Sequence, residues 1–290
     1  MMYISTNNKP ATRKVNSIYA LFYCIYLYSC CFFTTPTTTT AFTSSLPQSK
    51  KTTTTTTTGS SNTILLFAEK NQPWDVIRFV QQSSKFVSIF PQGTKSSSTK
   101  KGPITPGTLL WKAGGTTGDN DFEFAPLDDV VMGGASKSNF NIGTGKWKGI
   151  VTDANNGGFV GIRSTPIIDY DLSKCNGIEW TILTSAKDSI RLKVVLRDST
   201  DFNGVGWTTS MDTSKSKQIT TTFKIPFDNK TLKPSKFAKI LTSNEYDEPF
   251  NKAGIKSFQL TYSKFEYDGI LNPKFNTGDF EIQLIDIKTY

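Results

Sequence analysis

From Gly177 to the end the chain alternates. Ile178, Trp180 and Ile182 are spaced by Glu179 and Thr181; Ile190, Leu192, Val194 and Leu196 largely by Arg191 and Lys193; Phe258, Leu260 and Tyr262 by Gln259 and Thr261. A period of two sends one face of an extended segment to a core and the other to water, so each run predicts a half-buried strand. Similar runs occupy 146–152, 158–164, 217–225 and 279–287, separated by Gly, Asp, Asn and Pro clusters. About eight strands without long helices between them predict an all-β fold, an antiparallel β-sandwich.

Upstream the period changes. In PWDVIRFVQQSSKFVSIF, residues 73–90, Val76, Ile77, Phe79, Val80, Phe86, Val87 and Phe90 fall on one broad helical face, with Pro73 suited to a first turn. The spacing predicts a short helix over 73–90 that docks on the domain by this apolar face. Residues 91–107, rich in Pro, Gly, Ser and Lys, read as a linker, and the sandwich is expected over 108–290.

The first seventy residues carry an address rather than a fold. Lys9, Arg13 and Lys14 precede an apolar run from Ile18 to Phe33, and no acid occurs before Glu69. Residues 1–41 are therefore signal-peptide-like, with Ala41 and Phe42 at the junction, although a retained anchor stays open. Residues 42–70, Thr- and Ser-rich with Lys50 and Lys51, form a low-complexity, transit-peptide-like stretch that cannot bury a core. The two together resemble the bipartite presequence of algae whose plastids lie inside extra membranes. That resemblance implies a plastid location, with the mitochondrion as alternative. The long apolar run departs from an amphipathic mitochondrial presequence.

Composition narrows the chemistry. The chain of 290 residues has no histidine, which removes Ser-His-Asp and Cys-His nucleophiles and the commonest neutral-pH base. Residues 1–120 hold 12 Lys+Arg and 3 Asp+Glu, a net of +9, whereas 121–290 hold 21 of each. The sandwich is thus neutral overall, and nucleic acid is not an expected partner. Cys24, Cys30 and Cys31 lie in the apolar run, which is short for a bilayer-spanning helix, and leave with it, so no transmembrane segment is expected in the mature chain. Cys175 alone remains, so the mature chain has no internal disulfide; without a histidine to activate it, it reads as a small buried residue.

One segment stands out for site chemistry: DDVVMGGAS, Asp128 to Ser136, followed by Ser138 and Phe140. Paired carboxylates, then two glycines and a hydroxyl, indicate an ordered loop whose carboxylates accept backbone N–H groups or bind a cation such as calcium. Gly133-Gly134 is no phosphate loop, because no Gly-Lys-Ser/Thr follows. A second segment, NNGGFVGIRS, spans Asn155 to Ser164 and carries Arg163.

These two segments resemble the complex I intermediate-associated protein 30 family. DLSKCNGIEW at 171–180, KVVLRD at 193–198, FKIPF at 223–227 and GDFEIQLIDI at 278–287 follow in a similar order, so the resemblance spans about residues 108–290. It implies a galactose-binding-like jelly roll, in agreement with the alternation, and a plastid-type member, since PWDVIRFVQQ is similar to the lead-in of such proteins. It also implies non-catalytic work: an assembly factor or chaperone-like protein that binds protein subunits or intermediates of a membrane electron-transfer complex, respiratory complex I or a photosynthetic one. No catalytic residue, cofactor or metal is assigned. Residues 228–257 depart from the family pattern.

The matching positions are Asp128, Asp129, Gly133, Gly134, Ser136, Gly158 and Arg163. They form either a partner site or a loop brace, and a charge-assisted clamp of Arg163 against the two carboxylates favours the brace. The alternative function is a carbohydrate-binding module, with Trp147, Trp180 and Trp207 as candidate platforms, although Trp180 sits at an inward position. A glycosidase would need two carboxyls across a cleft. Adjacent Asp128 and Asp129 make a poor pair for that purpose.

Overall fold

A computed structural model describes residues 73–86, 102–115, 120, 122–165, 170–184, 189–215 and 219–290. The expected presequence, 1–70, lies outside them. Two antiparallel sheets face each other. The first runs β3 (Lys137–Asn141), β4 (Lys146–Val151), β13 (Gly278–Thr289), β6 (Gly177–Thr184), β9 (Ile219–Pro226), with β1 (Leu109–Lys112) also paired to β13. The second runs β11 (Lys239–Ile240), β10 (Lys233–Lys236), β8 (Gly206–Asp212), β7 (Arg191–Arg197), β12 (Ser257–Ser263), β5 (Phe159–Ser164), β2 (Phe124–Pro126). The chain crosses repeatedly between the sheets, as in a jelly roll.

The alternation forms the core as read. In β6, Ile178, Trp180, Ile182 and Thr184 are buried; in β7, Leu192, Val194 and Leu196; in β12, Phe258, Leu260 and Tyr262. These rows interlock with Trp111, Trp147, Ile162 and Ile287 in one continuous cluster. Full burial of each aliphatic side chain contributes about 1.5–3 kcal/mol. Trp111 meets Phe124 edge-on, with centroids 5.6 Å apart, which ties the edge strands of the two sheets to each other.

β13 is the axis of the six-stranded sheet. One edge pairs with β6 from Ile282 to Thr289; the other pairs first with β4, Gly278 to Gln283, then with β1, Asp286 to Lys288. Packed structure begins before Thr108. Ile104 lies against the core and donates its N–H to Asp171 O at 2.8 Å, and Gly107 N–H reaches Thr289 O at 2.9 Å. Cys175 is buried, its thiol directed at Ile104 O.

The helix departs from its expected form in extent and orientation. Helix α1 covers Val76–Ser84, capped by the Asp75 carboxylate accepting from Arg78 N. Val87 and Phe90 lie outside the described residues. Val76, Ile77 and Val80 are 50%, 73% and 55% exposed, whereas Phe79, Gln82, Ser83 and Phe86 are buried. The helix therefore docks by a mixed face at i, i+3, i+4 and i+7, and the aliphatic residues face outward. Polar groups on the loop it meets supply the reason.

Candidate functional site

The segment from Asp128 to Ser138 wraps two buried carboxylates. Asp129–Met132 forms a single 3-10 turn, ended by Gly133 at φ 87°, the left-handed region in which glycine carries no Cβ penalty. Gly134 then passes so close to the turn that a Cβ there would stand 2.3 Å from Asp129 Cγ. The adjacent glycines thus have separate causes, one torsional and one steric.

Asp129 is sealed from water and its oxygens are fully engaged. Oδ1 accepts from Ser136 N at 2.9 Å; Oδ2 accepts from the Ser136 hydroxyl at 2.6 Å, Gly158 N at 2.7 Å and Phe159 N at 3.3 Å. Burial pushes its carboxyl above the ordinary range, and the donors at Ser136, Gly158 and Phe159 pull it back in part. Ser136 also lies 3.0 Å from Thr152 O and accepts from Thr152 N at 3.1 Å, which joins the loop to the end of β4.

Asp128, equally buried, turns to the other side. Its Oδ2 accepts from Arg78 Nη2, Gln82 Nε2 and Ser138 N, and its Oδ1 from the Ser138 hydroxyl. Gln82 closes the pair by accepting the Asp128 backbone N–H at 2.9 Å. Arg78 Nη1 also reaches Ser136 O at 2.8 Å, and Trp74 Nε1 donates to Val130 O at 2.8 Å. The helix is thereby fastened to the loop by three side chains.

The structure brings together Asp128, Asp129, Gly133, Gly134, Ser136 and Gly158. Arg163 is elsewhere, and the expected clamp does not form: it projects from the outer face of β5, where its Nε donates to Gln259 Oε1 at 2.9 Å. Arg78 takes the part expected of Arg163. Sequence reading missed Arg78, Gln82 and Trp74 because it weighed only the apolar face of the helix. The available signal was the polar row Asp75, Arg78, Gln82 at helical spacing. The calcium reading also fails at this loop, since the carboxylates serve separate sets of N–H and O–H donors that a cation would have to displace.

Trp147 and Trp180 are 0% exposed and Trp207 is 3% exposed. None of the three can offer a ring face to a sugar. Among the described residues no group of three or more His, Cys, Asp or Glu is placed to hold a metal ion, and no helix is long and apolar enough to cross a membrane.

Residues 116–284 match the model of the Complex I intermediate-associated protein 30 family, more than half of the chain. The chain belongs to that family. The family is associated with the assembly of complex I. No curated protein matches the chain. Among solved structures it is similar to the family 11 carbohydrate-binding module from Clostridium thermocellum in complex with a beta-1,3-1,4-mixed-linked tetrasaccharide, at 16% identity and TM-score 0.41, covering 64% of this chain and 96% of that one. The corresponding module of the cellulosomal cellulase Lic26A-Cel5E of Clostridium thermocellum gives 17% and 0.40, over 64% and 96%. An agarase gives 8% and 0.36, over 64% of this chain and 26% of its own. In this member of the complex I intermediate-associated protein 30 family, the loop between β2 and β3 is hydrogen-bonded to the helix through Arg78 and Gln82.

Proposed function

We propose that this protein is a non-catalytic assembly factor that holds a subunit or intermediate of an organellar membrane electron-transfer complex, either complex I or a photosynthetic complex. The observation that carries the reading is the helix fixed by Arg78 and Gln82 with its aliphatic side turned out: Val76, Ile77 and Val80 stand exposed beside Trp74 and Met132. An apolar strip held rigid by buried polar bonds is suited to docking a protein surface. Asp128, Asp129, Gly133, Gly134, Ser136 and Gly158 act as the brace beneath it, and the partner touches the helix rather than the carboxylates.

The proposed organisation is a presequence in two parts, 1–41 and 42–70, ahead of the helix and the jelly roll, directing a plastid-type member to the plastid. The test expresses the full chain with a C-terminal fluorescent tag, locates it, and runs solubilised organelle membranes on a native gel. Co-migration with a photosynthetic or respiratory subcomplex, lost in Ile77→Glu/Val80→Glu with unchanged melting temperature, supports the reading. A monomer outside both organelles sinks it. If Asp129→Asn abolishes capture without lowering the melting temperature, the brace assignment is wrong.

A further inference from the structure

The outer face of the seven-stranded sheet carries cations that the family loop does not use. Arg163 on β5 stands level with Gln259 on β12, and Gln259 with Val195 on β7; Arg197 lies two residues further along β7, level with Ser257. Arg163, Gln259 and Arg197 are out of phase with core-facing Ile162, Leu260 and Leu196, so all three project from the outer face.

Arg163 is 6% exposed and lies against two aromatic rings. The Phe86 ring, just beyond the helix, lies 5.6 Å from its guanidinium carbon, and Phe202, in the loop after β7, lies 4.9 Å away. Ala125 and Leu127 pack with the same two rings. Since Nε is spent on Gln259, the terminal nitrogens Nη1 and Nη2 are left, and among the described residues neither has a partner. No carboxylate pairs with this guanidinium among those residues. The stretch 87–101 that follows Phe86 contains no acid, so it supplies none.

Arg197 is its charged neighbour. Nη1 donates to Gly204 O at 2.8 Å, which helps fold the loop that brings Phe202 down, while its buried Nε has no partner among the described residues. Burial and the charge of Arg197 push Arg163 well below the ordinary arginine range. Arginine nonetheless keeps its proton, so the side chain remains a buried cation without a counter-ion among the described residues. Two further cations on this face are already engaged: Lys193 by the carbonyls of Phe265 and Glu266, and Arg191 by Asp212 and Glu266.

We propose that Arg163, supported by Arg197, is the receptor for a single oxyanion, a carboxylate or a phosphate monoester, which enters edge-on between Phe86 and Phe202. Both rings lie against the guanidinium, and its terminal Nη1 and Nη2 form the in-plane fork that grips two oxygens at once. A single oxyanion fits better than a polyanion, because residues 121–290 are neutral overall and two rings bound the opening. The site is independent of the helix strip and stands whether or not that strip docks a partner.

The test titrates the full chain by calorimetry with inorganic phosphate and, separately, with acetate, at constant ionic strength and neutral pH. Saturable one-site binding of at least one ion is expected, weakened about tenfold or more by Arg163→Gln and less by Arg197→Gln, and unchanged by Lys224→Gln, an exposed cation elsewhere. Phosphate alone saturating assigns a phosphate monoester, and acetate alone a carboxylate; both saturating supports the shared oxyanion chemistry. Should Arg163→Gln fail to fold, Arg197→Gln carries the comparison. No saturable binding of either ion, or full affinity in every folded arginine variant, overturns the proposal.

Discussion

Ser136 returns two bonds to Asp129, seven residues before it: its N–H to Oδ1 at 2.9 Å and its hydroxyl to Oδ2 at 2.6 Å. The loop between them is thus closed by side-chain rather than strand pairing. Its carboxylate also gathers the N–H groups of Gly158 and Phe159 from the start of β5. Removing that carboxylate leaves several buried donors without an acceptor.

Asp129→Ala should therefore destabilise the domain by about 4 kcal/mol, because each stranded buried donor costs about 1–3 kcal/mol. Asp129→Asn keeps one acceptor oxygen and should cost about half as much. Urea-unfolding midpoints measure both; an unchanged midpoint in Asp129→Ala contradicts the brace.

Arg78→Ala leaves the Asp128 carboxylate buried with only Gln82 and Ser138 as donors. A loss of about 3 kcal/mol is expected. Amide exchange across Val76–Ser84 should speed up more than exchange in the strands, because the helix undocks first. A double-mutant cycle with Asp128→Asn should return a coupling of at least about 1 kcal/mol.

Gly134→Ala places a methyl group 2.3 Å from Asp129 Cγ, whereas at Gly143 the nearest atom to an added Cβ is Asn141 Oδ1 at 3.5 Å. The first substitution should cost more than about 2 kcal/mol and the second less than about 0.5 kcal/mol. Equal melting temperatures for the two variants would contradict the close approach.

Acid should weaken the domain through Asp212. Hydrogen bonding from Arg191, with Lys274 adding to it, holds this carboxyl at about 2 against an ordinary 3.8. Its folded pKa is depressed, so its contribution is present above 3.8 and is lost as pH falls through about 2. Asp129 has the opposite sign: its raised pKa gives a contribution present at low pH and lost as pH rises through the folded value. Asp212→Asn should flatten the fall in urea midpoint below pH 3.8.

The strands that alternate were legible because their inward residues repeat strictly: Ile178, Trp180, Ile182 and Leu192, Val194, Leu196 stand buried as read. β3 and β8 were not legible. The first reads KSNFN with only Phe140 buried, and the second buries Gly206, Trp207 and Thr208 in succession. Their place is fixed by neighbours, which a single strand's pattern does not encode. The brace was half legible: the acidic pair and glycines marked the loop, but Arg163 was matched to it as the cation of the second family motif, and the partner came from Arg78, fifty residues before Asp128.

The position of β13 governs when the molecule can fold. β1, β4 and β6 share no other neighbour, and each waits for residues 278–289 to lie between them. A chain delivered N-terminus first, from a ribosome or through a translocation pore, keeps Trp111, Trp147 and Trp180 unsheltered until its thirteenth strand arrives. Closure of the six-stranded sheet is then a late, long-range event. Until that moment its apolar faces stay open to other copies of the chain, so association competes with closure.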